Sequence, residues 1–127
     1  VQTEFRALLT GSAEVTALVP AARINWKEHP QDAPFPAIIL HLIGNAPGLT
    51  QQGPTSLWSG RVQVDCLALD YATAAQIGAA VTRLLNGYRG GGFRGVFLAS
   101  TRDDQDTGAS DRPFLISTDF MTHWRET

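Results

Sequence analysis

The chain has a single cysteine, Cys66, so no internal disulfide can staple it, and at 127 residues it is long enough to bury a core without one. At the centre of an apolar strand face this thiol reads as a small buried hydrophobe. A nucleophilic thiol would need an open, electropositive site. Charge is scarce as well: 17% of residues are charged, and the net charge is -2 with a sequence pI near 5.8. That excludes the electrostatic footprint of a protein that wraps nucleic acid tightly, so any encounter with DNA is expected to be loose. A surface short of charge is read as one covered by a partner. No apolar run approaches the ~18 residues of a membrane-spanning helix. Residues 1–9 also lack the basic start and apolar centre of a signal peptide. Neither export nor membrane insertion is expected, and synthesis is placed in the cytoplasm.

Catalytic signatures are missing too. There is no G-x-S-x-G elbow, and Ser12, Ser56, Ser59, Ser100, Ser110 and Ser117 fall in caps, turns or strands without an adjoining base. His29, His41 and His123 lie on a proline loop and two separate strands, with no spacing that would aim two of them at one metal. Gly90, Gly92 and Gly95 spell a G-x-G-x-x-G phosphate loop, but a helix precedes them and a strand follows, the reverse of what a phosphate needs. They read as a flexible helix-to-strand linker. Asp103, Asp104, Asp106 and Asp111 gather in one acidic stretch, D-D-Q-D-T-G and its flank. That stretch is one acidic residue short of a calcium loop and lacks the closing glutamate, so it reads as a solvated loop. No enzyme, metal or cofactor is expected. A small-ligand binding module would need polar groups converging on a pocket, and none is visible.

What is present is period and punctuation. Residues 58–70, W-S-G-R-V-Q-V-D-C-L-A-L-D, alternate strictly: Val62, Val64, Cys66 and Ala68 on one face, Arg61, Gln63 and Asp65 on the other. Asp70 then offers a carboxylate to the free N–H groups of a new helix. That helix, about 71–86, repeats Ala74, Ile77, Val81, Leu84 and Leu85 at three- and four-residue spacing and ends at Gly87. It is the expected lid on a sheet.

Residues 3–9 read as a short helix with Thr3 as cap and Phe5, Leu8 and Leu9 on one side. A second short helix starts at Ser12 and is closed by Pro20. A brief strand at 23–26 precedes a proline-rich loop at 27–36. Residues 37–45, A-I-I-L-H-L-I-G-N, are apolar on both faces and read as the central strand, covered on both sides. Residues 46–56 are rich in Gly, Pro, Gln and Thr without periodicity and read as a loop. A strand at 93–102, an acidic turn at 103–112 and a last strand at 113–125 complete the chain. In that last strand Phe114, Ile116, Phe120 and Trp124 share one face, and Leu115, Ser117, Asp119, Met121 and His123 share the other. The expected fold is one α+β domain over residues 1–127: an antiparallel or mixed sheet of about four to five strands, with the long helix and the N-terminal helical segment packed on it.

Several of these pieces, in their order and spacing, resemble the tail-completion, or tail-terminator, proteins of long-tailed phages, prophages and gene transfer agents. They are residues 5–19, Arg23-Ile24, Phe35-Pro36-Ala37-Ile38-Ile39, Arg61-Val62-Gln63-Val64-Asp65, Leu84-Leu85-Asn86-Gly87 and Asp119-Phe120 to Trp124-Arg125. The resemblance implies a structural virion protein that forms a ring of six copies on the head-proximal end of the tail tube. Such a ring stops tube growth and joins the tail to the head connector or stopper, leaving a channel for DNA. It implies no catalytic residues, and a location at the head–tail junction. Leu49, Gln51, Gln52 and Thr55, with Asp103, Asp104, Asp106 and Asp111, are the expected contacts with tube or connector. Arg61, Gln63 and Asp65 are the expected contacts between subunits. Another connector or stopper subunit of the same particle, or a small-ligand binding α+β module, are the rival readings.

Overall fold

The computed structural model describes residues 2–28, 34–50, 53–105 and 113–125, with side chains at 2–28, 34–48, 57–105 and 113–125. Helices α1 (Gln2–Thr10) and α2 (Ala13–Leu18) lead through a 3-10 turn at Ala21–Arg23 into strand β1 (Ile24–Trp26). Then follow β2 (Ala37–Thr50), β3 (Gly53–Ala68), α3 (Tyr71–Leu85), β4 (Tyr88–Gly90), β5 (Phe93–Gln105) and β6 (Phe114–Arg125). The strands form one six-stranded sheet in the order β1-β2-β3-β6-β5-β4. β1 runs parallel to β2, and every other pair is antiparallel. The fold is therefore α+β with a mixed sheet, but with six strands among the described residues rather than four to five. The glycine tract is where the count fell short: Tyr88–Gly90 is a strand of only three residues, paired back on Phe93 and Val96 instead of forming a loose linker.

The caps and faces follow from the side chains. Ser12 accepts the Val15 N–H, and Asp70 accepts the Thr73 N–H at 3.0 Å and its hydroxyl at 2.9 Å. A cap of that kind is worth about 1 kcal/mol. Thr3 lies inside α1, which starts at Gln2, and so does not cap it. Val62, Val64, Cys66 and Ala68 are buried beneath α3, whose Ala74, Ile77, Val81 and Leu85 are fully buried. Phe5, Leu9, Val15 and Val19 from the N-terminal segment join the same core. Helix and sheet approach closely at Gly78, where a Cβ would sit 2.8 Å from the Ile116 Cγ2. Gly87, at φ 85°, supplies the left-handed residue that turns the chain out of α3.

Three expectations about strands change. β2 is second from the edge, and β3 and β6 are central. Its cover is one-sided: Ile38 and Leu40 are buried, while Ile43, at a bulge between Leu42 and Gly44, is 55% exposed. Residues 46–50 and 53–56 are strand instead of loop. β2 runs to Thr50 and β3 starts at Gly53, paired through Leu49 with Pro54 and Thr50 with Gly53. The described pairing of β6 ends at Arg125 opposite Leu57, so among the described residues the β2–β3 ribbon continues past it by four β3 residues, about 13 Å. The acidic turn is also shorter than expected, since Asp103 and Asp104 belong to β5.

Candidate assembly interface

All three helices pack on one face of the sheet, and the opposite face carries the odd-numbered polar residues of β3 and β6. Register fixes which of them meet. Arg61 stands opposite Met121, Gln63 opposite Asp119 and Asp65 opposite Ser117, and across the next ladder Ser100 faces Asp119 and Arg102 faces Ser117. Arg61 donates to Asp119 Oδ2 from Nε at 3.0 Å and from Nη2 at 2.8 Å. Its Nη2 also reaches Ser100 Oγ at 3.4 Å. Arg102 donates to Ser117 Oγ at 3.2 Å and lies 3.5 Å from Asp119 Oδ2. Ser117 and Gln63 both donate to Asp65 Oδ1 at 2.8 Å, and His41 Nε2 sits 3.3 Å from Asp65 Oδ2.

The result is a polar band across β2, β3, β6 and β5 in which Asp65, Ser117 and Asp119 are buried although no helix covers them. The long side chains of their own neighbours shield them. Asp119 Oδ1 is buried with no hydrogen-bond partner among the described residues. Ile43 and Phe97, 55% and 48% exposed, are the large apolar residues left open beside the band. Further along, His123 Nδ1 lies 3.2 Å from Ser59 Oγ, with the Phe97 ring 6.2 Å from the His123 ring. Chemically the band satisfies most of its polar atoms internally, Asp119 Oδ1 excepted. It offers a stiff polar surface with apolar margins, and among the described residues no group of three His, Cys, Asp or Glu side chains could hold a metal.

The structure joins Arg61, Gln63 and Asp65 in this one network. Sequence reading missed Arg102, Ser100 and Asp119 as their partners, although the alternation of β6 already put Ser117 and Asp119 on a single face. Asp103 and Asp104 part company: Asp103 accepts the Tyr71 hydroxyl at 2.7 Å beside the helix face, while Asp104 lies across from Leu115. The bond to Asp103 and its charge hold the Tyr71 phenol above its ordinary pKa. Leu49 and Thr55 lie in the backbone of the projecting ribbon. Gln51, Gln52, Asp106, Asp111 and His29 lie outside the described residues.

Behind the band, Cys66 faces the core and is fully buried. Burial drives its thiol pKa well above the ordinary value, and the neighbouring Asp65 charge adds to the rise. In the unfolded chain the same thiol ionises from about pH 8.5. The neutral thiol thus contributes its stability in full below that pH. The contribution is lost as pH climbs through and beyond the ordinary thiol range, because only the unfolded state can release the proton there. Native protein at pH 8 is expected to resist an aromatic disulfide reagent and to react only as fast as it unfolds; immediate stoichiometric labelling would contradict that burial.

Comparison with known proteins agrees with this architecture. A solved chain from a structure described as the virion of a native gene transfer agent particle superposes with a TM-score of 0.69 at 19% identity, covering 94% of this chain and 90% of that one. No curated protein matches. The family model described as tail completion protein gp17 matches residues 3–123. That match runs from α1 nearly to the end of β6, and by it the chain belongs to the tail completion protein gp17 family.

Proposed function

We propose that this chain is a structural virion protein of a phage-like particle or gene transfer agent. In this reading, copies assemble side by side into a ring, six in number, on the head-proximal end of the tail tube. The ring ends tube polymerisation, presents the head connector or stopper with a docking surface and leaves a central channel for DNA. Its work is geometric, without catalysis, cofactor or metal, at the head–tail junction of a particle assembled in the bacterial cytoplasm. The observation that carries this is the family match across residues 3–123.

The shape of the chain is in keeping with it. A sheet with helices on one face leaves the polar band and the apolar Ile43 and Phe97 for neighbours, and a closed ring removes strand edges that would otherwise template aggregation. Within this reading Arg61, Gln63 and Asp65 lie toward a subunit boundary. Leu49, Gln51, Gln52 and Thr55, with Asp103, Asp104, Asp106 and Asp111, contact tube or connector. Carboxylates near the channel would repel DNA phosphates and let the duplex pass without sticking.

The test is a particle preparation in which the gene for this chain is silenced. Full heads are expected beside unattached tails whose tubes vary in length, with normal particles restored by supplying the chain. Imaging of purified tubes mixed with the chain should find it on one end only. Tails of uniform length that still lack heads would favour a connector or stopper subunit, and normal attached tails would end the proposal.

A further inference from the structure

The sheet has two unfinished margins. On one side β4 covers only the start of β5, pairing at Phe93 and Val96, and Asn86 Oδ1 caps the Leu98 N–H at 3.0 Å. Beyond that, among the described residues, no strand lies outside residues 99–104. On the other side β1 covers β2 only at Ile38, Ile39 and Leu40, with the Lys27 N–H on the Leu40 carbonyl, and no described strand lies outside residues 41–50. Next to the bare β5 margin runs a groove of about 450 Å³ between that strand and α3, floored by Ala75, Gly78, Ala79, Thr82, Leu98 and Ile116. An open strand edge beside an apolar trough is the geometry that accepts an added strand: main-chain bonds hold it, and alternate side chains enter the trough.

We infer that this site takes a second copy of the same chain, whose β2 margin, residues 43–50, adds to the β5 margin at 99–104. This rests on the ring reading and gives it a contact. The two margins belong to opposite sides of one sheet, so the joint is head-to-tail, the type that closes rings when the rotation allows. Residues 43–57, I-G-N-A-P-G-L-T-Q-Q-G-P-T-S-L, carry no charge, so the entering segment brings no ion of its own, and the one charge on the groove wall, Arg83, is exposed and already paired with Glu14. The ribbon runs past its own sheet by about 13 Å at the end where β5 begins, whereas the groove lies further along β5 at Leu98 and Thr101, so a neighbour's groove is the one offered to it.

Cysteine pairs test this. Gly44→Cys or Ala46→Cys combined with Ala99→Cys or Thr101→Cys samples both faces of the joint; a Cβ at Gly44 meets nothing within 4 Å. Native Cys66 is buried and stays silent. With tail tubes present and mild oxidation by oxidised glutathione, at least one pair is expected to give a ladder of linked copies ending in a closed ring, while each single variant gives none. Filling the trough with Ala79→Trp, an exposed helix position, is expected to raise the concentration needed for association about tenfold or more with unchanged thermal unfolding. Wild-type rings with no linked pair, and Ala79→Trp assembling like wild type, would overturn the edge joint and leave the ring reading standing. A wild-type chain that stays monomeric and ignores tube ends would remove both.

Discussion

Val81→Asp is expected to yield no folded protein. Val81 is fully buried on the face of α3 that lies over Val62 and Val64, within the cluster that also holds Ile77, Leu85 and Phe120. Two costs add there. The methyl groups lost are worth about 1–2 kcal/mol of transfer and packing, and an unpaired carboxylate in that position costs several kcal/mol more, whether it stays ionised or takes a proton. Domains of this size have about 5–15 kcal/mol in all, so the sum consumes most or all of it. Val81→Ala separates the two costs, since it removes methyls and adds no charge, and should lose only about 1–2.5 kcal/mol. Circular dichroism and urea unfolding read both variants. A soluble, cooperatively folding Val81→Asp would mean that this side of α3 does not face the sheet.

That helix face was legible from spacing alone, as was the Val62, Val64, Cys66 and Ala68 face, because burial imposes a period that a linear sequence displays. The Asp70 cap was equally plain, since an acidic residue before an apolar repeat has few other local uses. The ribbon at 46–56 was not legible. At Leu49, Thr50, Gly53 and Pro54 its strands pair with one another past the last β6 partner, and the many Gly and Pro residues argue for a turn. Asp103 and Asp104 mislead because an outer strand stretch with little burial can carry charges at consecutive positions. β4 is too short for any periodic signal. Of the polar band, the sequence displayed Arg61, Gln63 and Asp65 on a common face. It could not display their partners, because Arg61 and Asp119 are 58 positions apart and meet only through the β3–β6 register.

The same register makes Arg61→Met a sharp probe of that band. Asp119 is 5% exposed, and its Oδ2 depends on the two Arg61 contacts at 3.0 and 2.8 Å, with Arg102 at 3.5 Å as a weak third. Methionine keeps the aliphatic cover of the arginine stem, so the substitution chiefly removes the charge and its hydrogen bonds. Breaking a fully buried pair costs about 3–5 kcal/mol; with 40% of the Arg61 side chain exposed, solvent screens part of that, and about 2–3 kcal/mol is expected. Arg61→Met with Asp119→Leu should recover most of the loss, since no carboxylate is then stranded and the desolvation of the pair is avoided. Urea midpoints at unchanged slope give both numbers. A single variant within 0.5 kcal/mol of wild type would mean the pair contributes nothing to folding. A recovered double variant that folds yet no longer associates would assign the charges to contact between copies. If it associates normally, their role is register: a one-residue slip of β3 against β6 would carry Arg61 to the helix face and bury its charge in the core, and the pair penalises that slip.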